Sequence, residues 1–241
     1  MGAVQRTQML FGIISLVVTV RQAHAHAAPQ RIITVDLYGE ALCPDCDRTV
    51  VDTIGAIYHT GMRKYVNVTY YAYGKVKVNG TCQHGPLECL YNRHINIIQK
   101  RFKFNWLKWY PTVSCIEAAA KVIGYKNPDP VALAGNVSAC EQTGGLDPQD
   151  IAAAAQGPEG DAMEAWAGNA TAPWDLLSKY VPWMVIDGVA VGPAFEDLER
   201  FICIALPPQH RSKSCAKDPR WPPPDCPPAP SPTPVSPTPI V

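Results

Sequence analysis

The sequence predicts an α/β domain in which a βαβ unit and a ββα unit are separated by a helical insertion. Three observations support this prediction. Residues 32–38, IITVDLY, form a short β-branched run typical of a buried strand. A C-x-x-C pair opens an apolar-periodic stretch directly after it. Near the other end, Asp187-Gly188 stands between two short β-branched runs and indicates a hairpin.

The first unit is a strand, a helix and a second strand. After the cysteines, apolar residues recur at helical spacing and predict one buried stripe, formed by Val50, Val51, Ile54, Ile57 and Tyr58. Residues 66–73, VNVTYYAY, predict the next strand. Because a helix joins the two strands, we expect the right-handed crossover of a βαβ unit.

The last unit is a hairpin followed by a helix. Its strands are residues 183–186 and 189–191, and a helix over residues 194–206 starts behind Pro193. One face of that helix carries Phe195, Leu198, Ile202 and Ala205. Between the units, residues from about 93 to 180 are mostly helical in pattern and too long for a loop. The order βαβ, helical insertion, ββα is the thioredoxin arrangement.

Composition divides the chain into three parts. Residues 1–27 combine Arg6, an apolar run and small residues around two histidines, which is the pattern of a signal peptide. The run is shorter than the roughly 20 residues of a membrane span, and an uncleaved anchor is the alternative. Residues 207–241 hold more than half of the 24 prolines and predict an extended, polyproline-like tail. Residues 28–206 remain as one domain.

Glycosylation sequons and charge limit the function classes. Four Asn-x-Ser/Thr sequons follow the leader and predict a glycoprotein of the secretory pathway, with sites at Asn67, Asn79, Asn136 and Asn169. The formal net charge of +0 argues against nucleic-acid binding. A basic, aromatic cluster at residues 99–110 allows a membrane-surface helix, although the solvated face of a domain helix explains it as well. We expect no stable membrane insertion.

The sequence Cys43-Pro44-Asp45-Cys46 is the candidate catalytic site. In the thioredoxin arrangement it occupies the first turn of the first helix, where free backbone N–H groups and the helix dipole stabilise a thiolate. Cys43 is therefore the expected nucleophile, and the more buried Cys46 is the expected resolving thiol. Val181-Pro182 stands where this fold places a cis-proline that offers backbone groups to an extended substrate. An ordinary trans loop proline is the alternative.

Residues 82–92, CQHGPLECLYN, form a second motif, called here the signature segment. Seven of its residues match the pattern C-Q-H-G-x-x-E-C-x-x-N-x-x-x-x-C, namely Cys82, Gln83, His84, Gly85, Glu88, Cys89 and Asn92. With the C-x-x-C and the leader, the chain resembles the gamma-interferon-inducible lysosomal thiol reductase family from about residue 33 to residue 215. The resemblance implies a thioredoxin-like glycoprotein, lysosomal, vacuolar or extracellular, that reduces protein disulfides at acid pH through Cys43 and Cys46. It implies no chemical role for the signature segment.

Thiol chemistry sets the expected mechanism. A reductase in an acid compartment needs a nucleophile whose pKa lies well below the value of about 8.5 for a free thiol. The helix N-terminus should lower the pKa of Cys43, while the carboxylate of Asp45 should partly raise it. No flavin or nicotinamide fingerprint is present, so we expect no bound cofactor and an external small thiol as electron donor. The expected partners are disulfide-containing proteins.

Three other interpretations remain open. A secretory-pathway oxidase or isomerase would use the same cysteines in the opposite direction. A redox-inert secreted binding glycoprotein would keep every cysteine in a permanent bond. A zinc site would draw on Cys43, Cys46, Cys82 or Cys89, and His84. We expect no metal, and His84 as a hydrogen-bonded loop residue rather than a base.

The remaining cysteines predict structural crosslinks. Spacing alone does not fix connectivity. The expected pairs are Cys82 with Cys89, Cys115 with Cys140 and Cys203 with Cys215, which leaves Cys226 unpaired or intermolecular. Two cysteines of the family pattern are replaced here by Ile97 and Ala154. If those two family cysteines form a disulfide with each other, we expect Ile97 and Ala154 to lie side by side. The AAAA run also allows the second family cysteine to correspond to Ala153 or Ala155.

Overall fold

The computed structural model describes residues 32–177, 179–192 and 197–217. The predicted signal peptide, the start of the domain at residues 28–31, Pro193, Phe195 and Cys226 lie outside the described residues, as does the tail beyond residue 217.

A mixed sheet carries the two predicted units. Its strands are β1 (Ile33–Gly39), β2 (Val66–Ala72), β3 (Trp183–Ile186) and β4 (Val189–Ala190), in the order β2-β1-β3-β4. The β1 strand runs parallel to β2 and antiparallel to β3, and β3 pairs antiparallel with β4. Ile33, Val35 and Leu37 of β1 are buried in the core, whereas Thr34 is exposed and Asp36 is only partly buried, so the face that carries the apolar residues packs inwards. The predicted thioredoxin-like fold is confirmed.

The helical stretch after the C-x-x-C contains a π-helical segment that the sequence does not predict. It consists of α1 (Pro44–Arg48), the π-helical segment Thr49–Ile54 and α2 (Gly55–Tyr58). The hydroxyl of Tyr110, a residue of another helix, donates to the backbone carbonyl of Val50 at 3.1 Å. This contact lies within the segment where the backbone hydrogen bonds change from the α-helical to the π-helical pattern. The predicted stripe still faces the core, since Val50, Ile54 and Ile57 are buried.

Five helices form the insertion between the two units. They are α3 (Pro86–Arg101), α4 (Trp106–Ile123), α5 (Pro130–Thr143), α6 (Pro148–Gln156) and α7 (Pro158–Thr171). Asp-Pro steps start two of them, with Asp129 capping α5 and Asp147 capping α6 through backbone N–H groups. The helices begin at residue 86, earlier than the predicted position near 93, because the signature segment itself supplies the first turns of α3.

The basic cluster at residues 99–110 does not form one helix, so the membrane-surface interpretation is wrong. Lys103 and Phe104 have φ values of 53° and 55°, which end α3 before α4 begins. Trp106, Trp109 and Tyr110 are buried in the core. Among the described residues, no helix is long and apolar enough to cross a membrane.

Side chains of α3 complete the backbone hydrogen bonds of β2, the outermost strand on that side of the sheet. Asn96 exchanges two hydrogen bonds with the backbone of Ala72, and Gln99 exchanges two with the backbone of Tyr70. Both side chains are fully buried. The amides therefore cover an edge that would otherwise present unpaired N–H and C=O groups.

All three expected disulfides are present: Cys82–Cys89, Cys115–Cys140 and Cys203–Cys215. The second links α4 to α5 and the third fastens α8 (Leu198–Ala205) to the residues that follow it. The α8 helix starts at Leu198, and its residues Leu198 and Ile202 are buried as predicted. Residues 207–217 include two 3₁₀ turns, Pro208–His210 and Cys215–Lys217. The disulfide to Cys203 and a 2.6 Å hydrogen bond between His210 and Tyr65 hold this part of the predicted extended tail against the domain.

Candidate redox site

Cys43 lies where the chain leaves β1 and enters α1. It is the N-cap of α1, and Pro44 follows at the first helical position, where its missing N–H costs nothing. Leu42 has a φ of 62° and a buried side chain, which turns the chain sharply into the helix. Such a conformation costs about 1 to 3 kcal/mol for a non-glycine residue and is found mostly at functional sites.

Cys43 and Cys46 are the free cysteines of the described chain, and their environments separate their roles. The thiol of Cys46 donates a hydrogen bond to Cys43 and, with the backbone N–H groups of Cys46 and Asp45, lowers the pKa of Cys43 to about 7 against the opposing effect of burial. Burial raises the pKa of Cys46 well above its usual range. Cys43 is therefore the more readily ionised sulfur and Cys46 is a buried thiol held beside it.

Gly39 allows the close approach of Cys46 to the sheet. A Cβ atom at residue 39 would stand 3.1 Å from the sulfur of Cys46 and 3.0 Å from the ring of Tyr70. The hydroxyl of Tyr70 donates to Glu117 at 2.9 Å, and both groups are fully buried. Burial raises the pKa of Glu117 well above its usual range. A hydrogen-bonded tyrosine and glutamate therefore lie on the core side of Cys46.

The carboxylate of Asp45 does not act as the sequence predicts. It accepts a hydrogen bond from Arg48 at 3.0 Å, and both side chains are largely exposed. The contribution of Asp45 to the thiolate is its backbone N–H group, which lowers the pKa of Cys43. Because solvent and Arg48 screen the carboxylate, its predicted opposition to the thiolate is weak.

The signature segment folds back onto the loop that precedes Cys43. Its Cys82–Cys89 disulfide closes a loop in which Gly85 has a φ of 91°. Within this loop, the backbone N–H and Nδ1 of His84 both contact Oε2 of Glu88, at 2.5 and 2.9 Å. Nδ1 of His84 also lies 3.6 Å from Oε1 of Glu40, the residue three positions before Cys43.

Two further contacts fix Glu40 in place. Its Oε2 accepts the backbone N–H of Lys75 at 2.8 Å, and the backbone N–H of the next residue, Ala41, donates to Asn92 of the signature segment at 2.8 Å. Glu40 is fully buried, and burial followed by the charge of Glu88 raises its pKa to about 8. The signature segment thus forms one wall of the redox site.

Sequence reasoning did not find Glu40, Glu88 or Asn92 as site residues, and it treated His84 as an ordinary loop residue. The available indications were the pair of cysteines that closes the loop and the acidic residue next to the C-x-x-C. What the sequence does not reveal is that the loop folds back against Glu40 and Ala41, because these contacts join positions more than forty residues apart.

Pro182 lies at the same end of the sheet as the two sulfurs. The Val181-Pro182 peptide bond is cis, as predicted. In the β1–β3 register Tyr38 faces Trp183, so the next step along the sheet brings Pro182 level with Gly39. The position suits the predicted contact with substrate, and the binding role of Val181 and Pro182 stays a prediction.

The donor set expected for zinc is not available. Cys82 and Cys89 are joined to each other, so neither offers a thiolate. The side-chain ligand atoms of Glu40, His84 and Glu88 do lie within 4.8 Å of one another. We interpret these three as a hydrogen-bonded cluster rather than a metal centre, because Nδ1 of His84 is already engaged by Glu88.

The four predicted glycosylation sites are all exposed. Asn67 lies on β2, Asn79 in the loop that follows it, Asn136 on α5 and Asn169 on α7. Their exposure is compatible with the attachment of glycans, which stays a prediction.

Comparisons with known proteins address the identity of this site. Residues 34–131, which contain the C-x-x-C and the whole signature segment, match the family described as gamma interferon inducible lysosomal thiol reductase (GILT). The predicted family resemblance is confirmed. GILT-like protein C02D5.2 of Caenorhabditis elegans is 25% identical over 193 residues, which cover 74% of this chain and 54% of the relative.

A second relative resembles a shorter part of the chain. The gamma-interferon-responsive lysosomal thiol protein of Arabidopsis thaliana is 26% identical over 96 residues, which cover 37% of this chain and 40% of the relative. The matched region therefore spans about half or less of each of these GILT relatives.

Among solved structures, oxidised BdbD from Bacillus subtilis superposes with a TM-score of 0.53 at 12% identity, covering 70% of this chain and 85% of that chain. This similarity supports the fold alone.

Proposed function

We propose that the protein is a thiol–disulfide oxidoreductase that reduces protein disulfides in an acidic compartment of the secretory pathway. The observation that carries the proposal is the asymmetry of the two free thiols. Cys43 has a lowered pKa of about 7 at the entrance of a helix, and Cys46 is a fully buried thiol that donates a hydrogen bond to it. The match to the GILT family supports the same reaction class.

The reaction proceeds by two thiol–disulfide exchanges. The thiolate of Cys43 attacks one sulfur of a substrate disulfide, the substrate S–S bond breaks, and the departing thiolate takes up a proton. Cys46 then loses its proton and attacks the sulfur of Cys43 in the mixed disulfide, which releases the second substrate thiol. Two electrons pass to the substrate, and a Cys43–Cys46 disulfide remains. An external small thiol, such as free cysteine, returns the pair to the dithiol.

The pKa of Cys43 sets both the working range and the direction. A thiol of pKa about 7 is ionised to about 1 per cent at pH 5, against about 0.03 per cent for a free thiol of pKa 8.5. The same value is close to that of thioredoxin, a reductant, and far above the value of about 3.5 in DsbA, a strong oxidant. The shift therefore favours the reducing direction over the oxidase alternative.

Binding of a polypeptide substrate requires an accessible surface next to Cys43. Val181 and Pro182 are the proposed backbone contacts. A cavity of about 610 Å³ opens between the loop after β2 and α7. Its lining includes Gly74, which packs directly against Glu40, but not Cys43, Val181 or Pro182. Val76, Val78 and Leu177 give this cavity an apolar wall, which suits the side chains of an unfolded chain.

Reduction of the interchain disulfides of insulin tests the proposal. With free cysteine as donor, the purified protein is expected to accelerate precipitation of the insulin B chain at pH 4.5 and pH 7, and Cys43→Ser is expected to remove the acceleration at both. Absence of acceleration with wild-type protein would support the redox-inert alternative.

The measured reduction potential, obtained by equilibration with glutathione, separates the two catalytic directions. A value near that of thioredoxin, about −270 mV, agrees with a reductase, whereas one near −120 mV identifies an oxidase.

A further inference from the structure

The disulfide-closed part of the signature segment holds a histidine beside the redox pair. His84 is fixed at two points, since its backbone N–H and its Nδ1 both contact the same carboxylate oxygen of Glu88. Glu88 is fully buried and lies in the first turn of α3, and the Cys82–Cys89 bond closes the loop around both residues. The imidazole is partly exposed, at 24% of its side chain, so it reaches the surface near the C-x-x-C.

Glu40 joins this cluster to the C-x-x-C loop. Its Oε1 lies 3.6 Å from Nδ1 of His84, and its backbone N–H contributes a hydrogen bond to the sulfur of Cys46. Neither Oε1 of Glu40 nor Oε1 of Glu88 has a hydrogen-bond partner within the described structure, and both residues are fully buried. Glu40 and Glu88 are thus buried acids, and the partly exposed imidazole of His84 is in contact with both.

The protonation of this cluster differs from group to group. The hydrogen bond that the His84 ring donates to Glu88 raises the pKa of His84, so the ring is cationic in an acidic compartment. Burial raises the pKa of Glu40 to about 8, so its carboxyl group is neutral there. The positive charge of His84 is one of the causes that lower the pKa of Cys43.

The other titratable groups that interact with Cys43 do not supply a positive charge. From the core side these are Tyr70 on β2, Glu117 on α4 and Tyr125 after α4, and burial raises the pKa of each. None of the three can carry a positive charge, because a carboxyl group and a phenol are either neutral or anionic. The same is true of the thiol of Cys46, on the helix of Cys43 itself. Among these groups His84 is the cation.

We propose that His84 is a positioning residue of the redox reaction, whose cationic ring, fixed by Glu88 and the closed loop of the signature segment, stabilises the thiolate of Cys43. The inference deepens the proposed function and rests on it for its catalytic meaning. It gives the signature segment a chemical role, because at acidic pH the segment holds a positively charged imidazole near the nucleophile. Above pH 8, Glu40 ionises and opposes that charge, so the arrangement works best in an acidic compartment.

The test compares His84→Gln with His84→Lys. The rate at which iodoacetamide alkylates Cys43, located by mass spectrometry, is measured against pH in the reduced protein. The charge of His84 is the smallest of the causes that lower the pKa of Cys43, after the hydrogen bonds from Cys46 and Asp45. His84→Gln is therefore expected to raise the pKa of Cys43 by a fraction of a unit and to slow alkylation at pH 5 by about two- to threefold. His84→Lys keeps the charge and is expected to recover most of the rate.

His94→Gln is the matched control. His94 lies on α3 and, like His84, contacts a buried glutamate, since its Nδ1 is 2.8 Å from Glu141, but this pair links α3 to α5. Its substitution is expected to lower stability without moving the pKa of Cys43. Glu88→Gln, which releases the His84 ring, should shift the alkylation profile in the same direction as His84→Gln.

Two results would overturn the inference. One is an unchanged alkylation profile in a folded His84→Gln variant, and the other is an equal shift in His84→Gln and His84→Lys, which would indicate a structural role. Alkylation requires no disulfide substrate. A shifted profile combined with no reduction of insulin would therefore reject the proposed function and keep the inference about the thiolate.

Discussion

At the scale of single residues, Asp45 and His84 show that distance along the chain is a poor guide to influence on Cys43. Asp45 is two positions away, yet its carboxylate pairs with Arg48 at the exposed surface. His84 is 41 positions away, and its charge helps to lower the pKa of Cys43. The folded signature segment, rather than the C-x-x-C sequence itself, therefore determines which charges act on the sulfur of Cys43.

Asp45→Asn is expected to have little effect on the nucleophile. The sequence alone predicts that removing the carboxylate lowers the pKa of Cys43, but the ion pair with Arg48 and the surrounding water screen that carboxylate, and the backbone N–H that Asp45 donates is retained. Thiolate absorbance against pH measures the pKa. A fall of a full unit or more would mean that the carboxylate faces the sulfur in solution.

At the scale of elements, α3 and α6 carry the two residues that replace family cysteines. Arg93 of α3 donates to the carbonyl of Ala155 on α6, and Arg101, two turns further along α3, pairs with Asp150 of α6 at 3.0 Å. Ile97 lies between these two arginines along α3 and is fully buried. The hydrogen bond to Ala155 and the ion pair with Asp150 bring α6 against the part of α3 that holds Ile97, and the contact of Ile97 with Ala154 itself stays a prediction.

Ile97→Cys combined with Ala154→Cys is expected to form a disulfide under oxidising conditions. The bond would close a loop of 57 residues and raise the free energy of unfolding by about 4 kcal/mol, mainly by restricting the unfolded chain. Mass spectrometry detects the bond, and denaturant unfolding before and after reduction measures the gain. If this pair forms no bond and the pair Ile97→Cys with Ala155→Cys does, the family cysteine corresponds to Ala155 rather than to Ala154.

The elements that were predicted correctly are those encoded by local patterns. Alternation and β-branched runs identify β1 and the hairpin, Asp187-Gly188 identifies the turn, and Pro182 follows from its place before β3. Features that depend on contacts between distant segments were missed. The π-helical segment forms where Tyr110 of α4 contacts the backbone of Val50, and the cluster of Glu40 with His84 forms only when the signature segment packs against the loop between β1 and Cys43.

At the scale of the whole molecule, several buried acids have pKa values shifted in the same direction. Burial raises the pKa of Asp36, Asp47 and Glu117, and it raises that of Glu40 to about 8. A hydrogen bond to Glu88 raises the pKa of His84. Each of these groups binds its proton more tightly in the folded protein than in the unfolded chain, so each favours the folded state more at lower pH.

The free energy of unfolding is therefore expected to fall as the pH rises from 5 to 7. A group with a raised pKa in the folded state stabilises the fold below its unfolded pKa, and this contribution is lost as the pH rises towards the folded pKa. Glu40 alone would account for a loss of about 2 to 3 kcal/mol over these two units. Cys43, whose pKa is lowered to about 7, acts in the opposite direction only at higher pH.

Urea unfolding at a series of pH values measures this dependence. Glu40→Gln keeps the shape of the side chain and removes the titration, so its curve should be flatter between pH 5 and 7 than that of the wild type. If the free energy of unfolding falls equally with pH in the two proteins, groups other than Glu40 are responsible for the pH dependence.

The division of work between Cys43 and Cys46 is the central claim, and trapping of the mixed disulfide tests it most directly. Reduced Cys46→Ser and Cys43→Ser variants are each incubated with a disulfide-bonded protein at pH 5, and covalent complexes are identified by non-reducing electrophoresis and mass spectrometry. Cys46→Ser is expected to accumulate a complex linked through Cys43, because only the resolving step is lost, and Cys43→Ser is expected to form none. A complex formed by Cys43→Ser and not by Cys46→Ser would reverse the roles of the two cysteines and contradict the account.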